Sequence, residues 1–326
     1  MSLAKNIYDA GYEAIAVAGP TASGKTSLAI ELARRLGGEI ISCDSMQIYK
    51  GMDIATAKAT EKERAAVPHH LIDICPLSVN YSAADYVSDA TKAARDIIGR
   101  GRLPVFCGGT GLYLESVMRG EYPQSAESDT ALREQLLLYA SEHGNDALHD
   151  MLRSIDPVSA DAIHKNNIKR VVRAIEIAKG SGITKTELDG RHREFRGLKV
   201  FAVCLCFEQR QLLYSRIDNR VEEMVKSGLC EELEQLMRDP HFLSNKTAIQ
   251  AIGYKEFFAY IRGDATLEEC KEQLKTATRR YAKRQLTWFR GRDYVHCLYA
   301  DRDGKVKDVK GLADEFTELL RSAKRV

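Results

Sequence analysis

The stretch EAIAVAGPTASGKTSLAIELARRLGG, Glu13 to Gly38, decides the fold. EAIAVAG is a short apolar run that ends in a glycine, and SLAIELARRLG follows with helical spacing and stops at Gly37 and Gly38. Between them lies GPTASGKT, Gly19 to Thr26, which matches GxxxxGK[ST]. Strand, phosphate loop and helix are therefore predicted in that order. In that setting the glycines let backbone amides turn inward around phosphate oxygens, and the helix N-terminus adds its positive dipole end. Lys25 supplies a point charge, and the Thr26 hydroxyl can hold Mg²⁺. Gly19, Thr21, Ala22, Ser23, Gly24, Lys25 and Thr26 are the candidate phosphate-binding residues. The loop reads phosphates and a metal, not what hangs from them.

Outward from this loop the pattern repeats. GEIISCDS (38–45) reads as a second buried strand and LPVFCGGTG (103–111) as a third, with the helical SAADYVSDATKAARDIIGRG (82–101) between them. LKVFAVCLCF (198–207) reads as a strand that returns to the sheet. Alternating strands and helices argue for a parallel α/β sheet. From Tyr122 to Arg196 the strand signal disappears, and TALREQLLLYASEHGNDALHDMLRSI and SADAIHKNNIKRVVRAIEIAKGSG read as helices. Three further helical stretches follow at 210–228, 248–263 and 266–291. The expected fold is a P-loop NTPase-like parallel sheet core, residues 12–121 and 197–326, carrying an all-helical insertion domain at 122–196.

Composition narrows the class. The 326 residues are 44% hydrophobic and 29% charged, with a net charge of +2, an ordinary globular balance. No apolar run approaches the roughly 18 residues of a membrane span. MSLAKNIYDAGYEA lacks the apolar segment of a secretory leader, so a cytoplasmic protein is expected. Eight scattered cysteines form no CxxC pair, which indicates neither a zinc site nor a disulfide framework.

Asp44 stands just past the second strand, at the sheet edge where open α/β folds hold their ligands. It can bind Mg²⁺, orient a lysine, accept a proton, or simply cap the following turn. The third strand ends in Gly108-Gly109-Thr110 rather than in an aspartate, which weakens a simple ATPase reading. The two glycines permit close backbone approach, and Thr110 would point into the same crevice. Arg216 and Arg220 share one helical face, ready for an anion or merely exposed. KEQLKTATRRYAKRQLTWFRGR (271–292) holds eight cations against one acid, Glu272, with Trp288 and Phe289 interleaved. That composition suits RNA phosphates and splayed bases, and equally a solvated basic face over an aromatic core stripe.

Eight blocks occur in a fixed order: GPTASGKT, IISCDSMQIYKGMDIATAK, PHHLID, YSAADY, GGTGLYL, IHKNNIKRVVRAIEI, QAIGYKE and AKRQLTWFR. Together, from about Ala14 to Arg292, they closely resemble the bacterial tRNA dimethylallyltransferases. The chain departs from that pattern twice. Asn167 stands in HKNN where HPND is usual, and Ala55 stands in DIATAK where glycine is usual. The resemblance implies transfer of a dimethylallyl group from dimethylallyl diphosphate to N6 of the adenosine 3′ of the anticodon, with Mg²⁺ on Thr26. It implies Asp44 as general base, Arg216 and Arg220 near the diphosphate, and Thr110 at the reacting nucleotide or the bridging oxygen. Ser45, Met46 and Gln47 would meet the tRNA with Asp44, and the Gln47 amide offers both the donor and the acceptor that adenine needs. The insertion would add Arg133, Lys169, Arg170 and Arg173. The C-terminal region would add Gln250, Gly253, Lys255, Lys283, Arg284, Gln285, Trp288 and Arg290. His69, His70 and His164 read as structural or RNA-contacting, and a monomer is expected. The rival readings are an adenylate isopentenyltransferase acting on free AMP, ADP or ATP, a phosphate-loop small-molecule kinase, and a tRNA-binding module without catalysis.

Overall fold

A computed structural model describes residues 7–120, 130–191 and 195–323. The chain divides into two compact units, Met1–Met118 with Leu198–Val326, and Arg119–Gly197. The first is built on a six-stranded sheet, order β3-β2-β4-β1-β5-β6. Its strands are β1 (Ala14–Ala18), β2 (Gly38–Ser42), β3 (His69–His70), β4 (Leu103–Gly108), β5 (Val200–Cys206) and β6 (Val295–Tyr299). Every pairing is parallel. The strands β1, β2, β4 and β5 are buried along their whole length, which is why they read as continuous apolar runs rather than as alternations.

The two outer strands escape sequence reading. β3 has only two residues, and β6 has one buried position, Leu298, in five. Region 248–263, expected as one helix, forms two 3-10 turns and a four-residue helix instead. Gly253, with a positive φ of 111°, interrupts it. A helix at Val309–Ala323, also unanticipated, buries Leu312, Ala313, Phe316 and Leu320 in the core shared with the phosphate-loop helix Lys25–Leu36. Each of the larger of these side chains contributes about 1.5–3 kcal/mol by burial.

The unit Arg119–Gly197 is helical throughout its described residues, at Thr130–Ile155, Pro157–Ala162, Ile168–Ser181 and Lys185–Arg191. Gly144 (φ 87°, ψ 164°) breaks the first of these into two, where the spacing had read straight through. Leu136, Leu148, Leu152, Val171 and Ile175 form its core. The Asp156 carboxylate caps the next helix through Ser159 and also holds Thr186. Asn167 occupies the N-cap of Ile168–Ser181 without a side-chain capping bond.

Candidate active site

The phosphate loop closes by backbone conformations that only a few residues accept. φ is positive at Gly19 (144°), Ala22 (62°) and Gly24 (92°), which turns successive amides toward one centre. Gly19 packs directly on Leu205 of β5, where a Cβ would stand 3.2 Å from backbone atoms. Ser23 is buried, and among the described residues its hydroxyl has no hydrogen-bond partner. Arg216 reaches the loop from the Arg210–Lys226 helix, donating from Nε to the Ala22 carbonyl at 2.7 Å. Lys25 donates to the Pro20 carbonyl at 3.3 Å.

A cavity of about 310 Å³ opens beside the loop. Lys25, Thr26, Asp44 and Arg220 line it together. Burial holds the Lys25 ammonium below its ordinary pKa, with the Arg220 charge adding to the effect and the Asp44 carboxylate opposing it. Burial likewise lowers the Arg220 guanidinium, again opposed by Asp44. Two cations crowded in a buried site and one nearby carboxylate describe a place that is short of negative charge.

Asp44 combines the two roles its position allows. Its Oδ1 accepts the Met46 amide at 2.9 Å and the Gln47 amide at 3.4 Å, which fixes the turn. Among the described residues Oδ2 has no hydrogen-bond donor, and the side chain lines the cavity. Gly108 brings β4 so close that a Cβ there would overlap the Cys43 carbonyl. The turn is then tied on both sides. The Thr110 amide donates to the Cys43 carbonyl at 3.1 Å, and Thr110 Oγ1 accepts the Ser45 amide at 3.2 Å.

Several expected RNA-reading groups are instead committed inside the protein. Gln47, expected to read adenine, accepts from the Ser42 hydroxyl at 2.9 Å and donates to the Thr56 and Ala57 carbonyls at 3.1 and 3.3 Å. Gln285 is buried, accepts the Thr21 amide at 2.9 Å and donates to the Gly109 carbonyl at 3.1 Å. It binds the phosphate loop to the β4 turn, so it is a positioning residue rather than a surface contact. Gly253 gives close approach to Ala55, where a Cβ would stand 2.6 Å from the Ala55 methyl. The alanine that departs from the usual family pattern thus faces this glycine. Trp288 packs on Gly111, with the Arg292 guanidinium 4.7 Å over its ring and its buried indole nitrogen without a hydrogen-bond partner among the described residues. Phe289 is core. Arg290 is exposed, and the Cys206 sulfur beside it raises its pKa.

The basic helix Leu267–Arg290 sorts by partner. Lys271 and Lys275 pair with Glu222 at 2.7 and 2.8 Å, and Arg279 grips Asp218 through two nitrogens. Arg280, Lys283 and Arg284 are exposed, and among the described residues none forms an ion pair. Their i, i+3, i+4 spacing puts them on one face. In the helical unit, Arg133 and Arg173 hold the buried Glu176 at 2.9 and 3.3 Å, while Lys169 and Arg170 are exposed. Gln250 and Lys255 are exposed and line the cavity. His70 pairs with Glu39 at 2.7 Å, and the His164 ring accepts the Asn166 amide.

Sequence reading missed Tyr281. It lines the cavity beside Asp44, its hydroxyl meets Thr110, and Arg284 stacks over its ring at 5.6 Å. Burial pushes its phenol far above the ordinary value, and Asp44 adds to this. Its spacing to Arg284 and Gln285, three and four residues, was the available signal. The apolar wall of Ile217, Val221 and Met224 on one helix face, with Ile252 and Leu274, was also missed. So was Lys58, whose buried ammonium binds the Tyr49 carbonyl at 2.6 Å and the Asp53 and Asp73 carboxylates, fixing the loop that follows Asp44.

Such a site defines a phosphate-loop α/β protein that places a carboxylate and an apolar wall beside the loop. The IPP transferase family model matches residues 47–292. A tRNA dimethylallyltransferase of Halalkalibacterium halodurans is 47% identical over 282 residues, 86% of this chain and 89% of that protein. The solved full-length tRNA isopentenylpyrophosphate transferase of Bacillus halodurans is 41% identical with a TM-score of 0.66, covering 95% of this chain and 97% of that one. A eukaryotic dimethylallyltransferase, solved acting on tRNA, is 30% identical with a TM-score of 0.74, covering 88% of this chain and 73% of that one. The chain belongs to the IPP transferase family.

Proposed function

We propose that this enzyme transfers the dimethylallyl group of dimethylallyl diphosphate to N6 of the adenosine 3′ of the anticodon in tRNA and releases diphosphate. The observation that carries this reading is the cavity in which Asp44 faces Lys25 and Arg220 beside an apolar wall. An exocyclic adenine amine is a poor nucleophile because its lone pair is delocalised into the ring. Asp44 takes its proton as the C–N bond forms. Lys25, the loop amides, Arg216 and Arg220 stabilise charge on the departing diphosphate. The apolar wall Ile217, Val221, Met224, Ile252 and Leu274 suits a five-carbon chain and excludes water from its reactive carbon. Thr110 and Tyr281 hold the Asp44 turn against the incoming base. Drawing that base out of its loop costs a few kcal/mol.

Among the described residues no group of three or more His, Cys, Asp or Glu could hold a metal unaided. Thr26 and Asp44, which line the same cavity, fit a cation that takes most of its ligands from substrate phosphates and water, as Mg²⁺ does. Bound there, Mg²⁺ would neutralise diphosphate charge. No described helix is long and apolar enough to cross a membrane. A cytoplasmic monomer is the reading we adopt.

For tRNA contact we keep Ser45, Met46, Thr110, Lys169, Arg170, Gln250, Lys255, Lys283 and Arg284, and add Arg280. Neutralising Arg280, Lys283 and Arg284 together to glutamine is expected to weaken tRNA binding and to flatten its salt dependence by roughly 0.7–0.9 per lost phosphate contact. Neutralising Lys271 and Lys275 leaves that slope unchanged. Equal slopes for the two variants would remove the exposed strip from the interface.

The test of the reaction uses purified protein, Mg²⁺ and labelled dimethylallyl diphosphate, with unmodified tRNA or free AMP as acceptor. Label is expected in the tRNA and absent from AMP. Label in AMP alone would assign the adenylate activity. Label in neither, with ATP turnover, would assign a kinase.

A further inference from the structure

Three cysteines and an arginine meet at the β5–β6 pair, and none of the four lines the cavity. Cys204 and Cys206 point to the same face of β5, since strand side chains alternate. Cys297 on β6 is the register partner of Cys204. Yet it is the Cys206 sulfur that approaches Cys297, at 3.1 Å. Cys206 is fully buried, whereas Cys297 is exposed. Arg290, at the end of the Leu267–Arg290 helix, places its charge beside both sulfurs. Cys204, then Cys297 and Arg290, favour the Cys206 thiolate against burial, whereas burial and Cys206 push the Cys297 thiol up to about 11. Neither prenyl transfer nor the packing of the sheet calls for this arrangement: a buried sulfur beside a fixed guanidinium, 3.1 Å from a second sulfur that solvent reaches.

We propose that Cys206 and Cys297 form a peroxide-responsive thiol pair, in which Cys297 is oxidised first and Cys206 resolves it to an intramolecular disulfide. The Cys297 thiolate attacks the peroxide O–O bond and becomes a sulfenic acid, and one water leaves. The Cys206 thiolate then attacks the Cys297 sulfur. An S–S bond forms, the S–O bond breaks, and the hydroxide leaves with a proton as a second water. Two thiols and one hydroperoxide give one disulfide and two waters. A small thiol reverses the step by exchange. The order follows from access, because solvent reaches Cys297 but not Cys206. Arg290 favours the Cys206 thiolate and acts against the burial that holds the Cys297 thiol up, so the first step quickens as pH rises toward about 11. Closing the disulfide removes the negative charge that Arg290 faces.

The test treats the folded full chain with stoichiometric hydrogen peroxide, blocks remaining thiols, and maps peptides before and after dithiothreitol. One dithiothreitol-sensitive disulfide is expected between the peptide that holds Cys204 and Cys206 and the peptide that holds Cys297, with the other thiols blocked. Cys204→Ser should still form it, Cys206→Ser should not, and Arg290→Gln should form it at least several-fold more slowly. In Cys206→Ser, Cys297 should instead stop at the sulfenic acid, which dimedone traps. Over-oxidised Cys297 with free Cys206 in the unsubstituted protein would overturn the pairing. So would a disulfide that survives in Cys206→Ser. Circular dichroism of each variant separates a lost reaction from a lost fold.

Discussion

Asp44→Asn lowers prenyl transfer by about 10²–10⁴-fold while tRNA binding stays within a few-fold. The substitution isolates the chemistry because asparagine keeps an oxygen where Oδ1 accepts the Met46 and Gln47 amides, so the turn survives. What is lost is the proton acceptor on the free side of the carboxylate and the negative charge opposite Lys25 and Arg220. Single-turnover rates with saturating donor and tRNA read the chemical step, and filter binding reads affinity. If the rate stays within tenfold of the unsubstituted enzyme, another group takes the proton. If affinity falls as far as the rate does, Asp44 is a binding residue and the mechanism above is wrong.

Gly108→Ala is expected to cost about 3 kcal/mol or more, enough to lower the melting temperature by several degrees or to prevent expression in folded form. The methyl group would overlap the Cys43 carbonyl and stand 2.8 Å from Cys43 Cα. These are backbone atoms of the adjacent central strand, so no side-chain rotation relieves the contact. β2 and β4 must separate where the Cys43 amide bonds the Cys107 carbonyl at 2.8 Å. Asp44 is the next residue and would move with them. Gly99→Ala is the control. Nothing stands within 4 Å of a Cβ there, and the residue ends a helix in which alanine is favoured. It should melt at or above the unsubstituted temperature. Coincident melting of the two variants would mean that the strands can shift apart at no cost, and that the glycine is there for another reason.

Much of this molecule is local and therefore readable. Glu13 to Gly38 specifies strand, phosphate loop and helix because each residue's role there depends on its neighbours in sequence. The four buried strands are apolar runs, and the helical unit lacks any such run. Asp44 and Thr110 follow from where those strands end.

The rest depends on partners distant in sequence. That Lys271, Lys275 and Arg279 are spent on acids while Arg280, Lys283 and Arg284 are not is set by Glu222 and Asp218 on another helix. Gln285 looked like one polar residue among many in a basic stretch, and only the fold brings Thr21 and Gly109 to its two ends. Gln47 and Gly253 suit a base or a close backbone, and the packed protein supplies their partners from Ser42, Thr56 and Ala55. Sequence determined the architecture and the place of the proposed general base, because periodicity and short motifs act within a few residues. Tertiary structure alone decided which polar side chains remain free to meet a substrate, because a hydrogen bond or ion pair is satisfied by whatever group the fold places within about 3 Å.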